Sequence, residues 1–289
     1  MFKSALLLPV AIFAAFPAMA HERRDGGKLL LTGGVSSVDG AAGGGLATWA
    51  LIAGDETEDG RGGSAHVTYV ALPDFDLSSA GVAAGLSNRV EISYAYQRFD
   101  TRKAGAALGL GRGFTFGQHV IGGKLRLAGD AVWDQDRLMP QVAVGVQYHI
   151  AEKAPVLRAV GARESKSADF YIAATKILLA QGMVVNGTVR FTKANQFGLL
   201  GFGGDRHRGR SAQFEGSAGK LLAANLLAGV EYRTKPDNLG FAQEDDSYDL
   251  FVAWAFHRHA SLTAAYVDLG DIATVKRQRG LFLSLQGSL

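Results

Sequence analysis

The stretch Tyr248–His259, Tyr-Asp-Leu-Phe-Val-Ala-Trp-Ala-Phe-His-Arg-His, decides the fold class. Its bulky apolar residues fall on even-numbered positions, and an acidic residue and two alanines share the other face with one phenylalanine. This period of two is that of a β-strand. The alternation resumes at Leu262 and Tyr266 after a tight connection, and again over Leu281–Leu289. The C-terminal part of the chain therefore predicts an antiparallel hairpin and a final strand.

The length of these segments distinguishes a membrane barrel from a soluble sheet. Each runs to about ten residues, the length that a tilted strand needs to cross a bilayer. Strands in soluble sheets usually have about five or six residues. Aromatic residues also lie near the ends of the apolar face, as they do in interfacial girdles: Tyr248, Trp254, Phe256 and Tyr266. We therefore predict an all-β protein, a transmembrane antiparallel β-barrel.

Composition sets the next limits. The chain has 289 residues, enough for one large domain. It has no cysteine, so the fold cannot depend on disulfides or on a thiolate metal site. The net charge of +3 is too small to argue for nucleic-acid binding.

Residues 1–20 have the features of a secretory signal peptide. Lys3 gives a positive start, Ala5–Phe16 an apolar core, and Ala18-Met19-Ala20 a cleavage site between small residues. We expect the mature chain to begin at His21 and residues 21–289 to form one barrel. No later apolar run is long enough for a membrane helix, and only a closed barrel then satisfies its backbone in lipid. The expected location is the bacterial outer membrane.

The arrangement of turns indicates the number of strands. If Leu289 ends in the periplasm, the short turns fall on the periplasmic side and the long connections outside, which is the asymmetry of such barrels. The exception is the acidic Gly129–Met139 connection, which the same count places in the periplasm. About 14 strands result if Lys28–Thr32 and Leu46–Ala53 are both strands. About 12 result if the N-terminal segment is a lumenal plug and Leu46–Ala53 is not a strand. The role of Lys28–Gly45 stays open.

The predicted lumenal face carries charges of both signs, five basic and three acidic: Glu91, Lys124, Arg126, Lys176, Arg190, Glu231, Arg233 and Asp249. In one interpretation these charges pair across neighbouring strands and keep the interior wet and rigid. Glu91 would then pair with Lys124 or Arg126, and Arg233 with Asp249. In the other, they form a mixed-charge, weakly cationic lumen that favours small anionic solutes.

Two loops carry further predictions. Asp100–Gly117 is long and rich in small residues, and loops of this length usually have a function or are disordered. We expect it to fold into the lumen, where Arg102, Lys103 and Arg112 would narrow a pore. The basic cluster Arg206–Arg210 is expected outside the cell, either against lipid and lipopolysaccharide headgroups or as a ligand-capturing segment.

Four segments show a family resemblance: Gly26–Gly34, Asn186–Gln196, Gly201–Arg206 and Glu231–Gly240. They are similar to a domain-of-unknown-function family of bacterial, mostly proteobacterial, outer-membrane proteins. The resemblance spans nearly the whole mature chain. It implies an outer-membrane, porin-like barrel and brings no activity, cofactor or site residue with it.

The spacing of residues along the chain shows no motif for catalysis, metal binding or cofactor binding. The seven histidines are scattered, and no acid, base and nucleophile converge. We therefore expect no enzyme activity, no metal and no cofactor. Two functions remain: a porin-like channel for small solutes, and a non-conducting structural or envelope-assembly barrel.

Overall fold

The computed structural model describes residues 28–57, 60–135 and 137–289. Twelve antiparallel strands of this part of the chain close into one barrel. The predicted fold class is confirmed. The count of 14 strands is wrong, and the alternative of 12 is confirmed. None of the helices among the described residues is long and apolar enough to cross a membrane.

Two very short strands precede the barrel, β1 (Val35–Ser36) and β2 (Ala42–Gly43). The barrel strands are β3 (Arg61–Ala71), β4 (Asp76–Leu86), β5 (Val90–Asp100), β6 (Thr115–Ala128), β7 (Gln141–Ala151), β8 (Lys166–Leu178), β9 (Met183–Thr192), β10 (Ser211–Ala223), β11 (Leu226–Arg233), β12 (Ser247–His257), β13 (Ala260–Asp268) and β14 (Arg279–Ser288). Two short helices, α1 (Ala104–Ala107) and α2 (Ala154–Ala159), and a 3₁₀ turn at Asn195–Gly198 lie in the loops.

The barrel has no open edge, because its last strand pairs with its first. Strand β14 runs antiparallel to β3, with Leu281 opposite Ala71. At the end of this seam the carbonyl oxygen of Leu289 accepts hydrogen bonds from the backbone N–H groups of Asp55 (3.1 Å) and Gly63 (3.0 Å). Closure satisfies the backbone groups that lipid cannot.

Alternation along the strands separates an apolar outer face from a polar inner one. On β12, Leu250 is 61% exposed and Val252 41%, whereas the alternate residues Asp249 and Phe251 are buried. The predicted facing of this strand is therefore correct. An outer belt of exposed aliphatic and aromatic side chains is the surface that a barrel presents to hydrocarbon.

The two ends of the barrel differ in the length of their connections. The short turns at residues 87–89, 179–182, 224–225 and 258–259 lie at one end, together with the acidic connection 129–140. The long loops 101–114, 152–165, 193–210, 234–246 and 269–278 lie at the other end, which has one short turn, 72–75. The predicted asymmetry is confirmed. By the usual orientation of outer-membrane barrels, we call the short-turn end the inner mouth and the long-loop end the outer mouth.

The segment before the barrel lies inside it. All residues from 35 to 54 are buried, and residues 28–32 and 46–53 form no barrel strand. Of the two alternatives left open by the sequence, the two additional strands are therefore wrong, and the lumenal segment is the arrangement found. We call residues 33–54 the plug. Its β1–β2 hairpin turns at Gly40, whose φ is +90° and where a Cβ would lie 3.1 Å from the Cβ of Ala95. Only glycine combines this backbone conformation with so close an approach to the wall.

Candidate functional site

Six of the eight predicted lumenal charges lie buried inside the wall: Glu91, Lys124, Arg190, Glu231, Arg233 and Asp249. Arg126 is half-buried near the inner end of β6, where its guanidinium group pairs with Asp130 at 2.9 Å. The strands thus bring a set of ionisable groups into a space that the plug also occupies.

The lumenal assignment of Lys176 is wrong. It shares the outward face of β8 with Ile172, and Tyr171 and Thr175 point inward. Its ammonium group donates hydrogen bonds to the carbonyl oxygens of Asp134 (2.5 Å) and Met139 (3.1 Å) in the acidic connection. The adjacent alanines at 173 and 174 weaken the alternation there, so the pattern does not indicate which face Lys176 occupies.

Three wall glutamates bind the backbone amides of the plug. Glu231 accepts hydrogen bonds from the N–H groups of Leu46 (2.8 Å) and Ala47 (3.3 Å). Glu215 accepts one from Thr48 N (2.7 Å). Glu91 accepts from Ala53 N (2.9 Å) and from Ala42 N (3.3 Å). These carboxylates replace the strand partner that the plug backbone lacks.

The wall also donates hydrogen bonds to plug carbonyl groups. Lys124 binds the carbonyl oxygens of Leu51 (2.7 Å) and Ala42 (3.1 Å), and Arg233 binds that of Leu46 (2.9 Å). Thr188 donates to the carbonyl oxygen of Thr48 at 2.6 Å. Donors and acceptors of the plug are therefore both satisfied by side chains from distant strands.

One of the two predicted ion-pair arrangements occurs. Glu91 and Lys124 pair at 3.2 Å. Arg233 does not pair with Asp249; it pairs with Asp39 of the plug at 3.1 Å and with Glu215 at 3.5 Å. The register explains this, because Asp249 lies opposite Glu231 and Arg233 lies opposite Ser247.

Sequence reasoning missed two lumenal acids, Asp169 and Glu215. Glu215 follows the outward Phe214, so strict alternation could have located it. Asp169 lies at 1% exposure near the start of β8, where polar residues precede it and the alternation is weak. With them, the barrel strands bury five carboxylates (Glu91, Asp169, Glu215, Glu231, Asp249) and three cations (Lys124, Arg190, Arg233) in the described lumen. The weakly cationic balance expected from the sequence is not what the described wall carries.

Loops cover the lumen at the outer mouth. We call residues 193–204, 235–244 and 269–278 the lid. Residues 194–204 are all buried, and the amide of Gln118 on β6 donates to the carbonyl oxygen of Phe197 (3.1 Å). Gln196 donates to Asp271 O (2.8 Å), and Asn238 to Asn195 Oδ1 (3.0 Å), so the three lid segments interlock. Thr48, Gln118 and Phe202 each have 0% exposure, so plug and lid together fill the lumen around them.

A buried pair within the lid shows how little water reaches it. Lys235 and Glu244 lie 3.4 Å apart, and the Lys235 ammonium group also donates to Leu269 O at 2.8 Å. Burial lowers the pKa of Lys235 and raises the pKa of Glu244 to about 7, against the opposing effect of their mutual attraction.

The predicted constriction loop does not enter the lumen. Arg102, Lys103 and Arg112 are exposed at the outer rim. Arg102 donates to the carbonyl oxygen of Leu72 at 3.0 Å and lies 3.5 Å from Asp76. The two ends of the loop are joined by backbone hydrogen bonds across its base. The plug and the lid occupy the space that the loop was expected to fill.

The inner mouth contains a second buried ion pair. Lys28 donates to the carbonyl oxygens of Ile52 (2.6 Å) and Gly54 (3.1 Å) and lies 3.9 Å from Glu56. Burial lowers the pKa of Lys28 and raises the pKa of Glu56 to about 7. Among the described residues, no cluster of three or more His, Asp or Glu side chains could hold a metal ion.

The architecture is that of known porins. The NanC porin matches with a TM-score of 0.53 at 9% identity, over 78% of this chain and 100% of that chain. The KdgM porin matches with a TM-score of 0.51 at 7% identity, over 78% of this chain and 99% of that chain, and it was also solved in complex with disordered oligogalacturonate. At such identities the likeness concerns the fold alone. The protein is a porin-like β-barrel of the bacterial outer membrane.

The sequence also assigns the chain to a protein family. Residues 32–286 match the family described as "Protein of unknown function (DUF3034)", and the chain belongs to it. The resemblance found in the sequence is thereby confirmed. No curated protein matches the chain.

Proposed function

We propose that the protein is a channel for small solutes, without enzyme activity, whose lumen is closed in this structure by a removable plug and by the lid, which opens when the plug leaves. The observation that carries the proposal is the chemistry of the wall behind the plug. Eight charged side chains are buried there. Burying charge costs free energy that well-packed apolar side chains would avoid. The charged wall is explained if the plug leaves the lumen in a second state of the protein and water then fills it.

The contacts of the plug are compatible with its removal. It is held by hydrogen bonds, ion pairs and packing, and water can replace the hydrogen bonds to Glu91, Glu215 and Glu231. The plug ends at residue 54, and β3 begins at Arg61 at the inner mouth, so the plug can leave the lumen without opening the seam between β3 and β14.

Conductance in planar bilayers tests the proposal. A Cβ at Gly44 would lie 1.9 Å from Glu231 Oε1 and 2.9 Å from the Trp49 ring. Gly44→Val should therefore displace the plug without altering a wall charge, and stepwise conductance should rise well above that of the unaltered protein. Gly187→Val is the matched control, because no atom lies within 4 Å of a Cβ there. It should behave like the unaltered protein.

The competing function is a non-conducting structural or envelope-assembly barrel, and the closure of both mouths favours it. This alternative predicts that Gly44→Val and a deletion of residues 33–54 remain silent in bilayers although circular dichroism shows a folded barrel. That result would reject the channel. The small anionic solutes expected from the sequence remain a prediction, tested by the same recordings.

We also propose that the Arg206–Arg210 loop contacts lipopolysaccharide. Arg210 packs over the ring of Phe170, at 5.4 Å, on the outward face of β8, and Arg208 is exposed. Arg206 is already paired with Asp237 at 2.6 Å. Arg208→Ala/Arg210→Ala should bind lipopolysaccharide more weakly than the unaltered protein. Equal binding would remove this contact from the proposal.

A further inference from the structure

Two carboxyl groups of the wall have no cation beside them. Glu231 on β11 and Asp249 on β12 lie directly opposite each other in the register. Their exposed fractions are 2% and 4%. In the described structure neither is within ion-pair distance of a Lys, Arg or His side chain, and Asp249 Oδ1 has no hydrogen-bond partner.

The remaining buried charges of the wall balance. Glu91 pairs with Lys124 at 3.2 Å. Arg190 pairs with Glu215 at 2.5 Å and lies 3.9 Å from Asp169. Arg233 lies 3.5 Å from the same Glu215. Two arginines thus face two carboxylates, and the excess of two carboxylates over cations is the pair Glu231 and Asp249.

The plug supplies hydrogen-bond donors to this pair but no charge. Glu231 receives the N–H groups of Leu46 and Ala47, the indole N–H of Trp49 (3.3 Å) and the hydroxyl of Ser217 (2.7 Å). Three of these four donors belong to the plug and leave with it. The unpartnered oxygen of Asp249 receives no donor even while the plug is seated.

We propose that Glu231 and Asp249 form the selectivity site of the open lumen and bind the ammonium or guanidinium group of small cationic solutes. The proposal rests on the proposed channel. When the plug leaves, water reaches both carboxylates, and Glu231 loses the three N–H donors of the plug. An ammonium group brings three N–H donors and the missing positive charge, so it can bridge Glu231 and the free oxygen of Asp249. Charge of one sign in a narrow lumen raises the local concentration of the opposite ion.

This site predicts a channel that prefers cations, whereas the charges expected from the sequence predict one that prefers anions. The ion preference of the open channel therefore decides between the two predictions. In a KCl gradient the Gly44→Val barrel should show a reversal potential of cation-preferring sign. Glu231→Gln/Asp249→Asn in that background should bring the permeability ratio of K⁺ to Cl⁻ close to unity. Glu91→Gln/Lys124→Met removes one charge of each sign, so it should leave the ratio unchanged. Anion preference, or a preference that survives loss of both carboxylates, would overturn the proposal.

A binding measurement keeps the site testable if no variant conducts. Spermidine should raise the melting temperature of the Gly44→Val barrel saturably at constant ionic strength, and the effect should disappear in Glu231→Gln/Asp249→Asn. That outcome without conductance would reject the channel and retain the cation site. Conductance without cation preference and without a spermidine effect would retain the channel and reject the site.

Discussion

The Glu56 side chain shows how closely the inner mouth is packed. It has 0% side-chain exposure, and neither of its carboxyl oxygens has a hydrogen-bond partner in the described structure. A Cβ at Gly85 would lie 2.1 Å from one of these oxygens, and a Cβ at Gly62 would lie 2.3 Å from the other. Burial raises the pKa of Glu56 to about 7, and Lys28 only partly opposes the effect.

This residue should make plug docking depend on pH. The carboxyl group holds its proton in the docked state up to about pH 7, whereas in water it ionises from its ordinary pKa of 4.5. Docking should therefore weaken between pH 4.5 and 7, by on the order of 3 kcal/mol, and change little above that range. Hydrogen exchange of residues 28–57 measures it. Glu56→Gln should make the protection factors of these amides, taken relative to the intrinsic exchange rate at each pH, nearly independent of pH, and an unaltered pH profile of protection in that variant would contradict the assignment.

A second prediction at this scale concerns the lipid-facing residue Val252. It is 41% exposed on the apolar belt near the middle of β12. Val252→Arg should cost about 2–4 kcal/mol of folding free energy, as charged residues do near the bilayer midplane. Val252→Leu is the control and should cost almost nothing. Unfolding titrations in lipid vesicles compare them; equal stability would reverse the facing of this strand.

Single residues also show where sequence reasoning succeeded. Glu91 lies between Val90 and Ile92, and Lys124 begins the alternation that continues through Leu127, so their inward direction and their pairing were predictable. Arg233 was placed inward correctly, but its partner Asp39 is 194 residues away along the chain and belongs to the plug. Local alternation carries no information about such a contact.

Among the elements, the plug was the least predictable. Its glycines and small residues break the period of two, which left both a strand and a lumenal segment open. Whether this segment forms a strand or lies in the lumen depends on hydrogen bonds between plug amides and wall carboxylates. One of them joins Leu46 N to Glu231, 185 residues away along the chain. The barrel hairpins were easier, because their signal lies within about twenty consecutive residues.

The loop 101–114 permits a test at the scale of an element. Since Arg102, Lys103 and Arg112 are exposed at the rim, deleting residues 104–111 should leave the conductance of the Gly44→Val barrel unchanged. Bilayer recordings of both forms measure this. A larger conductance after the deletion would mean that the loop enters the open lumen and narrows it.

At the scale of the whole molecule, the sequence predicted the class and two strand counts, of which 12 is correct and 14 is too high by two. The error had one source, since segments 28–32 and 46–53 were counted into the wall. The alternation of inner and outer turns could not reveal this error. Both 12 and 14 are even numbers, and both place the two ends of the barrel chain on the same side of the membrane.

The processing of the chain remains a prediction at this scale. Residues 1–20 lie outside the described residues. We expect the membrane-inserted protein to begin at His21, because Ala18-Met19-Ala20 offers small residues at the cleavage site. N-terminal sequencing of the protein extracted from outer membranes measures this. An inserted protein that retains Met1 would contradict it.

In the proposed open state the plug leaves and returns through the inner mouth, where Lys28 N donates to Asp55 O at 3.1 Å in the closed structure. A displaced plug therefore stays attached to the barrel by the short segment that leads into β3. A segment held by a short flexible linker has an effective concentration on the order of millimolar, and we expect this value for the displaced plug at the inner mouth. Re-closing is then a first-order event within one molecule. The duration of each opening should not depend on how many barrels the membrane holds, and a micromolar amount of free peptide with the plug sequence should compete poorly with the attached copy.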